Sequence, residues 1–141
     1  MLMFTDLGRL HYLSLSPPIA VESVGAYLTY LRARPNPDGR VVCVDLRSSS
    51  VIAPDVADSF VQAMKASPAA RIAQVLSTRV TQQMQATRLV REAHRDDVQR
   101  VFGNAQEAQE WLGELLTAAE KLHLRGLLDG TIQPGGEFHH V

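Results

Sequence analysis

Apolar positions change their period along this chain, and each change marks an element. Met1-Leu2-Met3-Phe4 and Leu10-His11-Tyr12-Leu13-Ser14-Leu15 flank Asp6-Leu7-Gly8. Two apolar runs around a polar break whose glycine can take a positive φ predict a β-hairpin. Pro17-Pro18 stops the sheet, after which Val21, Val24, Gly25, Leu28 and Leu31 recur at helical spacing until Arg34-Pro35-Asn36-Pro37-Asp38-Gly39 ends the helix. Residues 41–46, Val41-Val42-Cys43-Val44-Asp45-Leu46, offer no polar face over most of their length, as expected of a central strand covered on both sides. Beyond Ser48-Ser49-Ser50, the residues Val56, Ala57, Phe60, Val61 and Met64 predict a second helix, with Pro54 in its tolerated first turn and Asp55 and Asp58 near its positive end. Residues 72–76 read as a short strand and 98–102 as another. Between them Val80, Met84, Ala86, Leu89, Val90 and Ala93 give a third helix.

The last helix has the strongest start signal. Asn104 and Glu107 stand at capping-box spacing, and Ala105, Ala108, Trp111, Leu112, Leu115, Leu116 and Ala119 line one face, with Glu107, Glu110 and Glu114 on another. Leu122, Leu124, Leu127 and Leu128 extend that helix or dock beside it, and Pro134-Gly135-Gly136 makes the end of the chain read as loose. The expected organisation is one domain over residues 1–128 with a flexible tail over 129–141. A hairpin and helix, followed by repeated strand and helix, predict an α/β fold: a single mixed sheet of four to five strands with about four helices and parallel crossovers.

Composition sharpens this picture mainly by exclusion. The chain has 141 residues, 45% of them hydrophobic and 21% charged, which fits one ordinary globular domain. Lys plus Arg total 14 against 15 Asp plus Glu, so no global basic field recommends nucleic acid as a partner. The single cysteine, Cys43, lies in an apolar run, and no apolar run approaches the ~18 residues of a membrane span, so a reducing cytoplasm without membrane insertion is the expected setting. His11, His94 and His123 are scattered, and His139-His140 with Glu137 lies where convergent metal ligation is rare, so neither a metal nor a cofactor is expected. No nucleophile elbow, phosphate-binding loop or dinucleotide fingerprint is present, and no general base and nucleophile pair can be named, so the expectation is a protein that is not an enzyme.

Val42-Cys43-Val44-Asp45-Leu46-Arg47 resembles the hydrophobic strand ending in Asp-Leu-Ser of the sulfate transporter and anti-sigma factor antagonist (STAS) superfamily. Arg100-Val101-Phe102-Gly103-Asn104, with Glu107-Ala108 and Trp111-Leu112, is similar to the closing strand and helix of its divergent bacterial branch, often grouped with CRAL-TRIO-like proteins. The likeness spans roughly residues 9–116, a domain-sized stretch. It implies a STAS-like topology and a non-catalytic regulatory module of bacterial signalling, bound by an anti-sigma, kinase-like or other signalling protein. In phosphorylated members the loop closes on Asp-Ser-Ser-Gly; here Ala53-Pro54-Asp55-Val56 stands in its place and Asp55 falls on the acceptor position. A carboxylate there imitates a phosphoserine weakly, with one charge against roughly two. The plainer reading is an acidic residue steadying a helix start.

The partner-binding surface expected from these residues comprises Asp45, Arg47, Ser48, Ser49, Ser50, Asp55 and Asp58, with Ser59 a further hydroxyl. A weaker anion-binding set is Arg79, Arg88, Arg91 and Arg95, since twelve of the 14 basic residues are Arg and Arg88, Arg91 and Arg95 share one helical stripe. Glu92, Asp96 and Asp97 balance that stripe, so a solvated face is the plainer reading of it. The alternative function is a lipid or small hydrophobic ligand module of CRAL-TRIO-like type, with an apolar cavity between the sheet and the helices carrying Tyr27, Met64 and Met84. Self-association through a sheet edge or the acidic helix row would give a homodimer.

Overall fold

The first two strands, β1 (Leu2–Leu7) and β2 (Leu10–Leu15), close as an antiparallel hairpin in which Leu2 faces Leu15 and Leu7 faces Leu10. Gly8 turns the corner at φ +56°, in the left-handed region open to glycine. The computed structural model describes residues 1–34, 39–49, 52–94 and 97–138. After the hairpin come α1 (Val21–Arg32), β3 (Val41–Asp45), α2 (Pro54–Ala66), β4 (Arg71–Val75), α3 (Val80–Ala93), β5 (Gln99–Phe102), α4 (Ala105–Gly113), α5 (Ala118–Asp129) and β6 (Gly136–Phe138). The strands form one mixed sheet in the order β5-β4-β3-β2-β1-β6. The β2 to β5 pairings are parallel, and β1 is antiparallel to both β2 and β6.

The α/β class and the mixed sheet are those expected, and β3 lies between β2 and β4 as an interior strand. Three details differ. The expected long final helix is two: α4 ends at Gly113 and α5 restarts behind a reciprocal capping box, in which Glu120 N–H donates to Thr117 Oγ1 and Thr117 N–H to Glu120 Oε1. Asn104 does cap α4, accepting from the backbone N–H groups of Gln106 and Glu107 at 2.8 and 3.3 Å. Ala119, expected on the buried face, is exposed. The stretch expected as a loose tail from residue 129 carries β6, whose Leu2↔Phe138 and Phe4↔Gly136 pairings cover the β1 edge, so the sheet has six strands. Finally, α3 is rotated from its expected phase: Val80 and Met84 are 66% and 67% exposed, and Gln82 takes an inward position beside Ala86, Leu89 and Ala93.

The two faces of the sheet are packed unequally. On one, Leu10, Tyr12, Val41, Cys43, Ala73 and Val75 meet Ala108, Trp111, Leu112, Leu124, Leu127 and Leu128 in a single continuous core. Trp111 also stacks under the guanidinium groups of Arg71 and Arg100, 4.8 and 5.0 Å from its ring centre. On the other face the core is split. Leu2, Leu13, Leu15 and Tyr27 form one cluster, and Ala57, Val61, Met64, Leu89 and Ala93 another. Helix α4 lies against β3, β4 and β5, whereas α1 and α2 pack chiefly on their helical neighbours.

Glu120 links the hairpin to α5: its Oε2 accepts the Arg9 N–H at 2.7 Å, and a Cβ on Gly8 would press into that same oxygen. Gly8→Ala therefore has to strain the backbone and displace a buried carboxylate together. It is expected to lower stability by about 1–2 kcal/mol or more, measured by urea unfolding; an unchanged midpoint would refute this role for the turn.

Candidate functional site

Strand β3 delivers Asp45 to a buried position under α5. Its Oδ2 accepts from Tyr12 Oη at 2.6 Å and from Arg47 Nη2 at 2.8 Å, while Oδ1 accepts from Arg47 Nε at 2.9 Å and from the Arg47 backbone N–H at 3.1 Å. Arg47 Nη2 also donates to the Leu128 carbonyl at 2.7 Å, tying the loop after β3 to α5. Burial pushes the Asp45 carboxyl up, but the bonds from Arg47 and Tyr12 outweigh it and hold its pKa below the ordinary value. Burial raises the Tyr12 phenol and the Cys43 thiol, and neighbouring Asp45 raises both further. A thiol so buried is a packing group rather than a nucleophile.

The expected partner-binding residues thus divide. Asp45 and Ser49 are buried and satisfied internally, Ser49 Oγ donating to the Leu15 carbonyl at 2.9 Å, so neither presents a recognition group. Arg47, Ser48, Asp55 and Asp58 are exposed, and Ser50 lies outside the described residues. Asp55 Oδ1 accepts the Val56 N–H at 2.9 Å, satisfying an otherwise unpaired donor in the first turn of α2. Among the expected anion-binding arginines, Arg79 stands at the start of α3, far along the helix from Arg88 and Arg91. Arg88 pairs with Glu92 at 3.3 Å on an exposed face, as a solvated stripe would, and Arg95 lies outside the described residues. His139 and His140 lie outside them as well. Among the described residues no group of three or more His, Cys, Asp or Glu side chains is placed to hold a metal ion.

What the split core leaves open is a cavity of about 300 Å³ between the sheet and the α1–α2–α3 layer. Its floor is Leu13, Val42, Val44, Ile72 and Gln74; its walls include Tyr27 and Leu31 from α1, Phe60 and Met64 from α2, and Leu89 from α3. Tyr27 and Met64 occupy the places expected for them, whereas Met84 points to solvent. Val42 and Val44, although on an interior strand, are only half-buried because they face this space.

One end of the cavity is polar. His11 on β2 and Tyr27 on α1 are hydrogen-bonded through His11 Nε2 and the Tyr27 hydroxyl, and His11 Nδ1 contacts Asp6 Oδ1 at 2.6 Å. Asp6 also ion-pairs with Arg34 Nη1 at 3.2 Å. Burial raises the Asp6 pKa, but His11, Arg34 and Arg40 together overcome it and leave it lowered. Burial and the nearby Asp6 raise that of Tyr27, so its hydroxyl stays protonated. Arg32, Arg34 and Arg40 line this end. Sequence reasoning passed over them; the signal available was their crowding around the Pro35-Asn36-Pro37 break.

No family model matches the chain, and no curated protein matches it. Among solved structures it is similar to the NMR structure of the protein TM1081, at 14% identity over 77% of this chain and 86% of that one, with a TM-score of 0.55. That is a likeness of fold. No described helix is long and apolar enough to cross a membrane.

Four carboxylates, Asp6, Asp45, Glu120 and Asp129, have folded pKa values below their ordinary ones. Their contribution to stability is complete above the unfolded carboxylate range of about 4 and is lost as pH falls through the lower folded values. The melting temperature is accordingly expected to fall on acidification from about pH 5 to pH 3. Asp45→Asn should cost about 2 kcal/mol at neutral pH and flatten the acid slope; an unaltered slope in thermal melts would count against the buried pair.

Proposed function

We propose that the chain is a non-catalytic binding module that takes a small, mainly apolar ligand into the cavity between its sheet and the α1–α2–α3 layer. The observation that carries this reading is the cavity itself: about 300 Å³ of space walled by Leu, Val, Phe and Met side chains. Small-molecule sites are usually concave, mostly apolar and roughly 300–1,000 Å³, so this one suits a compact ligand. The reading agrees with the CRAL-TRIO-like side of the sequence resemblance.

Filling the space tests it. Val44→Phe places a ring where β3 is only half-covered, and is expected to raise the melting temperature of the empty protein by the equivalent of about 0.5–2 kcal/mol while abolishing the thermal shift produced by a ten-carbon amphiphile. A shift that survives in the filled variant would remove the cavity from consideration.

A second reading, the STAS-like regulatory module, draws on the exposure of Ser48, Asp55 and Asp58 around the start of α2. On that reading, Asp55→Arg with Asp58→Arg releases a protein that co-purifies with the native chain and leaves amphiphile binding unchanged, with a small fall in melting temperature as the start of α2 loses its carboxylates. Retention of the partner by the double variant would end the case for this surface.

A further inference from the structure

The cavity is electrically lopsided. Its described lining contains three guanidinium groups, Arg32, Arg34 and Arg40, and no Asp or Glu, in a chain whose formal net charge is −1. All three lie at one end, where α1 stops and β3 begins. A described carboxylate, Asp6, stands behind this end, held by His11 Nδ1 at 2.6 Å and Arg34 at 3.2 Å. Low-dielectric walls focus the field of such guanidinium groups on whatever enters. Guanidinium forks bind carboxylate and phosphate oxygens with paired, charge-assisted hydrogen bonds. Tyr27, its hydroxyl hydrogen-bonded to His11 Nε2, lies at the same end. Toward the far end the described lining is mainly apolar, with Leu46, Ile52 and Phe60, and Gln74 lies beside Val44.

We infer that the ligand is a single-chain amphiphile with an anionic oxyacid head, carboxylate or phosphate. Its head sits among Arg32, Arg34 and Arg40 and its chain runs along Val42 and Val44 toward Phe60. The volume of about 300 Å³ has room for one short chain and not for a two-chain lipid. This inference rests on the ligand-binding reading and is tested separately from it.

Decanoate, decyl phosphate and decanol share a ten-carbon chain and differ in the head. Titrated below their aggregation concentrations and followed by calorimetry, at least one of the two acids is expected to bind about tenfold or more tighter than the alcohol, as charge-assisted hydrogen bonds require, and the tighter acid names the head. The preference should weaken as salt rises. In the double variant Arg32→Gln and Arg40→Gln the acid should fall to the level of the alcohol while alcohol binding stays unchanged, which a merely misfolded cavity would not permit. Equal binding of acids and alcohol by the native chain, or a preference that survives the double variant, overturns the anionic head and leaves the apolar cavity standing. Failure of all three probes to bind overturns both.

Discussion

Neighbouring parallel strands are joined almost without exception by right-handed crossovers, and this chain makes three in succession while moving in one direction across its sheet, from β2 through β3 and β4 to β5. Helices α1, α2 and α3 must then fall on the same face. The opposite face has no cover until β5 is complete, when α4 and α5 close over it. The alternation of β3 records this division: Val41, Cys43 and Asp45 point into the layer built last, and Val42 and Val44 into the layer built from crossovers. The first of these layers packs without interruption. The second leaves the cavity.

Most of this order was legible because period and punctuation agree. The hairpin, the interior strand, Pro54 at the first turn of α2 and Asn104 at the cap of α4 each rest on a local signal with a local cause. Where the reading failed, the deciding interaction was not local or not apolar. Counting apolar residues put Val80 and Met84 inside α3, but Gln82 holds the inward position. Its Oε1 accepts from Ser77 N–H and Oγ, and its Nε2 donates to the carbonyls of Leu46 and Ser49. A polar side chain with its hydrogen bonds satisfied is buried at little cost, and no hydrophobic period reveals it. The break between α4 and α5 was masked because both helices turn apolar residues to the same sheet face, and Thr117 with Glu120 was the signal that went unread. Three residues of β6 carry no period at all. The cavity is a missing volume between elements distant in sequence, and the arginines at its end come together only when α1 and β3 do.

The Asp45-Leu46-Arg47 stretch, on which the family resemblance leans, has a complete structural explanation. Its carboxylate gathers Tyr12 from β2 and Arg47 from the following loop, and Arg47 carries the connection to the end of α5 through the Leu128 carbonyl. An acidic residue at the end of an interior strand therefore serves as a junction between strand, loop and helix. Removing either partner would leave a buried group unpaired, which costs more than the intact bond contributes. The same junction fixes where the chain leaves the sheet, and so determines that Ser49 turns in to Leu15 while Ser48 turns out.

Protein interiors are ordinarily filled to the density of organic crystals, and an apolar void forfeits the dispersion contacts of its lining. Aliphatic walls drawn together only by burial would be expected to close. Here the layer is held by polar ties that apolar collapse does not set. Tyr27 reaches from α1 to His11 on β2, with Asp6 behind the imidazole. Gln85 of α3 exchanges two hydrogen bonds with the backbone of Ile52, at 2.9 and 2.8 Å, and Gln82 fastens the start of the same helix to the loops after β3 and β4. Bringing the helices closer to the sheet would break directional bonds to gain contacts worth individually little. The spacing of the layer is thus set by hydrogen bonds at its margins. On the proposed ligand-binding reading, a cavity formed beforehand would avoid most of the ordering cost of association, and the same ties that hold α1 in place hold Tyr27 beside the arginines.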